Sequence, residues 1–214
     1  MDEEITIIDT KTRNEKIKNF FLENKKLLIS IIFILTFGII IFYSYKIFKN
    51  QQREDLSNRY NAAVIEFNKG NKSMTISMMR EIIDNKDSTY SPLALFYVID
   101  NDLITDKNEI NNLFNIIITK TSIETEIKNL IIYKKALFNA DSVDENELLK
   151  ILKPLMNTQS IWNSHSLYLI AEYFYSKNEK QKSKEFFNKI ISLENANEYI
   201  LRESQKRLNR DLSE

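Results

Sequence analysis

From residue 27 to residue 45 the chain reads LLISIIFILTFGIIIFYSY, nineteen residues without a charge, and beyond it apolar positions recur at helical spacing between polar corners. At 1.5 Å per residue the uncharged run covers about 28 Å, close to the hydrocarbon thickness of a bilayer. Lys25 and Lys26 close it on one side, and Lys46 and Lys49 on the other. Tyr43 and Tyr45 stand where amphipathic rings favour the membrane interface. A secretory signal peptide would have a shorter apolar core and a small-residue cleavage site, whereas FYSYKIFKN follows here. The pattern predicts one uncleaved transmembrane helix over 27–45, with a tail over 1–26 before it.

After the span, KIFKNQQREDLSNRYNAAVIEFNKG has neither glycine nor proline before Gly70. That predicts a helical stalk over 46–57 running into a domain over 58–214. One spacing recurs within the domain: an anchor position, a large apolar residue four later and an apolar residue seven later. The sets are Thr75, Met79, Ile82; Ile110, Phe114, Ile117; Leu148, Leu152, Leu155; and Ser183, Phe187, Ile190. Successive anchors lie 35, 38 and 35 residues apart, and twelve residues before each stands Ala63, Val98, Ala136 or Ala171. Small residues at that place let two helices approach closely, and a fixed period of this length marks helix pairs that bury their apolar faces by stacking on one another. The expected fold is all-α: a transmembrane helix, then a solenoid of about four helix–turn–helix repeats. First helices are expected near 56–69, 92–104, 126–140 and 161–176, with Pro92 in the first turn of its helix. The closing segment ANEYILRESQKRLNRDLSE is expected to form a capping helix resting on Tyr199, Ile200, Leu201 and Leu208.

Composition narrows the function classes. Thirty basic and thirty acidic residues cancel, so no overall field draws the chain to nucleic acid. The absence of cysteine removes thiolate nucleophiles and Cys-based zinc sites, and two glycines leave no phosphate-cradling loop. His165 is the single histidine, too few for a metal trio or a Ser–His–acid set. The expectation is a non-enzyme without metal or cofactor. An unrecognised active site would instead declare itself as perturbed ionisable groups gathered in a deep pocket. The acidic corners Asp84 with Asp87, and Asp141 with Asp144, Glu145 and Glu147, lack the alternating ligands and glycine of a calcium loop and read as solvated turns. Heavy use of Lys, Ile and Asn is read as genome composition and given no functional weight. Six Lys or Arg precede the span within twenty residues and four follow it, which places the tail in the cytoplasm.

Counting fifteen residues back from each anchor gives Tyr60, Leu95, Tyr133 and Tyr168, candidates for a protein-binding groove along the first helices. Tyrosine offers rigid contact area with a polar tip at low entropic cost, and it equally suits packing between neighbouring repeats. His165 joins the list as a surface or groove residue. Trp162, one turn earlier, reads first as inter-repeat packing.

The period and the small-then-large spacing resemble the tetratricopeptide repeat. The order of features is more specific: an acidic MDEE start, a short basic tail, one anchor, RYNAAVIEF, YSPLALFYV, a Trp-containing third stretch and the closing YILRESQKRL. This arrangement resembles the YfgM-like family, membrane-anchored ancillary subunits of the bacterial SecYEG translocon. The resemblance implies an inner-membrane protein with periplasmic repeats, partnered by the translocon and by periplasmic chaperones, touching lipid only through its one span. The same repeats would also suit a structural scaffold for another envelope complex, in division or outer-membrane assembly.

Overall fold

The computed structural model describes residues 15–212 apart from 17 and 157; the acidic start and the tail up to residue 14 lie outside the described residues. Every regular element among the described residues is helical. After helical residues 18–23 come, in chain order, α1 (Lys25–Asn68), α2 (Lys72–Asp84), α3 (Tyr90–Asp100), α4 (Lys107–Lys120) and α5 (Thr125–Asn139). They continue with α6 (Glu145–Met156), α7 (Trp162–Ser176), α8 (Lys180–Ile191) and α9 (Glu198–Asp211). The chain divides into two units, one up to Asp55 and one from Leu56 onward.

In the first unit α1 carries one stretch long and apolar enough to cross a membrane, with a mean hydropathy of 2.6 and none of it buried within the protein. Two of its hydroxyl side chains are satisfied internally, as a hydrocarbon setting requires. Ser30 Oγ donates to the Lys26 carbonyl at 2.9 Å and Thr36 Oγ1 to the Ile32 carbonyl at 3.0 Å.

The second unit is built from helices packed in sequence. Each helix from α2 to α9 contacts the next in sequence, and α2 with α4, α5 with α7 and α7 with α9 add contacts two helices apart. Residues 56–68 of α1 join through Leu56 and Ala63, whose carbonyl accepts from Thr75 Oγ1 at 3.4 Å. The periodic positions are the core: every residue of the four apolar sets, and all four small partners, is at most 3% exposed. That burial is the physical content of the period, since a 35-residue spacing returns the same face of the same helix to the interior.

The corners obey local backbone rules despite the scarcity of glycine. Gly70, Asp102 and Asn178 adopt left-handed φ values of 85°, 48° and 63°. At each, the next residue's N–H reaches back five residues to a helix carbonyl: Asn71 to Glu66, Leu103 to Val98, Glu179 to Phe174. This terminates a helix by satisfying its last carbonyls, and Asn and Asp tolerate the conformation better than other side chains. The acidic corners act as caps. Asp87 Oδ1 accepts from the Thr89 and Tyr90 amides, Asp106 from Asn108 and Asp144 from Glu147.

Two details differ from the sequence reading. The second of the first helices spans Tyr90–Asp100 and stops short of 104, because the chain turns at Asp102; Leu103 and Ile104 then enter the core from a loop. Pro92 is its third residue, where its missing N–H has no intrahelical partner to lose. The terminal helix α9 packs on α7 and α8 through Ile200, with Leu201 and Leu208 partly covered, but Tyr199 is 62% exposed.

Candidate protein-binding site

The candidate residues on the first helix of each pair occupy three aromatic groups. Tyr60 is partly buried and meets two rings of α3, Tyr97 edge-on at 5.9 Å and Tyr90 at 6.2 Å; Phe67 extends the group onto Tyr97 at 5.6 Å. Tyr133 on α5 stacks on Trp162 of α7 at 5.5 Å and meets His165 edge-on at 5.9 Å, with Trp162 and His165 themselves 5.1 Å apart. Tyr168 on α7 lies edge-on to Phe187 of α8 at 5.5 Å. Tyr60 and Tyr133 therefore pack between neighbouring first helices, whereas Tyr168 packs within its own pair. Leu95 is fully buried in the core and offers no area to a partner.

The chemistry of these groups follows from partial burial. Desolvation raises the phenol pKa of Tyr60, Tyr133 and Tyr168 above the ordinary tyrosine value, since a phenolate would lose hydration there. For Tyr60 the neighbours Tyr97 and Asp100 push the same way. All three remain neutral hydroxyls at physiological pH. His165 Nδ1 pairs with the Ile161 carbonyl at 3.0 Å, a contact that orients the ring against Tyr133 and Trp162. Beside this trio Ile161 is 61% exposed, so aromatic faces and an aliphatic side chain lie together at the surface.

The end of the aromatic line is closed by an ion cluster that sequence spacing does not reveal. Arg207 of α9 grips both oxygens of Glu172 on α7, Nε to Oε1 at 2.7 Å and Nη2 to Oε2 at 2.6 Å, and its Nη1 reaches Asp211 at 2.8 Å. Its guanidinium also lies 5.0 Å from the Tyr175 ring centre. Bidentate geometry and ring stacking are what distinguish arginine from lysine at such a place. The Asp211 carboxyl is held well below the usual range, by Arg210 first and Arg207 second. Lys182 is raised by hydrogen bonds to Glu145 and then Glu179. These shifted groups sit in surface ion pairs. Among the described residues no three His, Asp or Glu side chains converge as metal ligands would.

The face thus presents flat rings, neutral hydroxyls and isolated aliphatic side chains, a chemistry that suits protein side chains and peptide. No family model, curated protein or solved structure matches the chain.

Proposed function

We propose that the chain is a non-enzymatic, membrane-anchored adaptor of tetratricopeptide-like architecture, akin to the YfgM-like subunits, whose periplasmic helix pairs link the SecYEG translocon to chaperones. The observation that carries this reading is the joint one: an unburied apolar span in one unit, and in the other a periodic helical core that leaves aromatic groups half-covered on its first helices. Tethering supplies much of the affinity. Confinement beside a membrane partner raises the effective concentration, so contacts of modest strength reach useful occupancy. The partly exposed tyrosines and Trp162 supply rigid contact area, the residue types that dominate binding energy at protein interfaces.

The test is co-purification of the full chain from bacterial membranes after mild crosslinking. Translocon and chaperone components enriched over an anchor-only control support the adaptor; a reproducible absence of both overturns it.

A further inference from the structure

A groove of about 620 Å³ is lined by residues of α4, α5 and α6, none of them a member of the aromatic groups. Asn108, Asn111 and Asn115 of α4 line one wall at helical spacing, Lys135 of α5 adjoins them, and Glu147 and Lys150 of α6 face in from the other wall. We propose that this groove binds a short, extended, uncharged stretch of polypeptide by hydrogen bonds to its backbone amides. The site stands apart from the aromatic groups on the first helices, and the proposal does not depend on them.

The groove's floor is already saturated. Asn111 and Asn139 exchange Nδ2–H···Oδ1 bonds at 2.9 Å in both directions, and their remaining N–H groups go to the Lys107 and Lys135 carbonyls. Asn139 is 3% exposed, so this amide pair is part of the interior. Beside it, the exposed Asn115 lines the groove and its Oδ1 accepts from Lys135 Nζ at 2.8 Å, which commits the acceptor of that amide and not its two N–H donors. An amide side chain carries the same donor and acceptor pair as a peptide unit. The floor pair therefore displays, within the protein, the amide-to-amide geometry that a bound backbone would repeat one layer up.

Charge and length point to the same occupant. Asp144 and Glu147 balance Lys135 and Lys150 among the lining residues, which favours a neutral ligand over an anion or a cation. Burial lowers the pKa of Lys135, Glu147 opposes that effect and Lys150 adds to it. From Asn108 to Asn115 the helix rises about 10 Å, the reach of about three extended residues. No aromatic ring lines the groove for the C–H face of a sugar to rest on.

The test is saturation-transfer NMR of a hexapeptide of alternating Ser and Ala, acetylated and amidated at its ends, added to the full chain in detergent micelles. Comparisons are the Asn108→Ala/Asn115→Ala variant, whose substituted side chains are exposed and outside the floor pair, and the same peptide N-methylated at alternate residues. The expected result is transfer to the parent peptide that weakens about tenfold with either change. Transfer that is absent, or equal in the variant, or equal for the N-methylated peptide, overturns the proposal. So does stronger transfer to a neutral tetrasaccharide, which would make the groove a polyol site.

Discussion

Replacing Phe187 with alanine should unlock the last helix pair while leaving the earlier ones folded. Phe187 has no exposed surface, lies edge-on to Tyr168 at 5.5 Å and shares a cluster with Leu167, Ala171, Ile190, Ile200 and Leu212. Removing a fully buried phenyl ring costs about 3–5 kcal/mol, of which the aromatic pair supplies roughly 0.5–1.5. A domain of this size has about 5–15 kcal/mol of total stability, so the loss is large. Its location is the sharper expectation. Where each pair touches only its neighbours, stability is a sum of local and nearest-neighbour terms, and the loss should concentrate in α7, α8 and α9. Hydrogen exchange of the full chain in detergent would read it as protection lowered by at least about a hundredfold in those helices, with α2 and α3 nearly unchanged. A loss below about 1 kcal/mol, or an equal loss across all the helices, would refute the picture of stacked pairs.

Other perturbations probe separate links. Asn139→Leu strands the Asn111 amide and should cost about 1–3 kcal/mol, whereas the Asn111→Leu/Asn139→Leu double variant should recover much of it; denaturant melts that show additive losses would contradict the pairing. Because Asp211 has a depressed carboxyl pKa, its contribution to the ion pairs that close the end of α9 is full above the ordinary carboxylate value near about pH 4 and is lost only as pH falls through its lower folded value. Protection of α9 should therefore be flat from about pH 8 to pH 5, and a decline within that window would count against the Arg207–Asp211–Arg210 cluster. Tyr60→Phe with Tyr133→Phe keeps the ring contacts and removes the polar tips, so melting should move by less than about 0.5 kcal/mol while partner capture falls. Unchanged capture would assign those tyrosines to packing alone.

Much of the fold is legible from spacing because two periods carry it. The uncharged nineteen-residue run needs only composition to be read, and the recurrence of Met79, Phe114, Leu152 and Phe187 at intervals of 35, 38 and 35 residues marks a buried face. Helix ends are less legible: the turn at Asp102 uses an aspartate in a left-handed conformation where glycine is the usual signal. Lateral polar contacts are hidden for another reason. Asn111 with Asn139, and Glu172 with Arg207, are 28 and 35 residues apart, and no local pattern pairs them. The asparagines that composition alone assigns to genome bias are, at 108, 111 and 115, one wall of a groove. The candidate tyrosines were legible as positions, but their partners Tyr97, Trp162 and Phe187 emerge only once the helices are stacked.

The central claim, a single anchor displaying the helix pairs outside the cytoplasm, is tested most directly by separate tags on the two ends of the chain in intact bacterial cells. Protease added after outer-membrane permeabilisation should digest the domain beyond residue 45 and spare the N-terminal tag. A domain that stays protected while a periplasmic control is cleaved would contradict the account and turn the chain to face the cytoplasm.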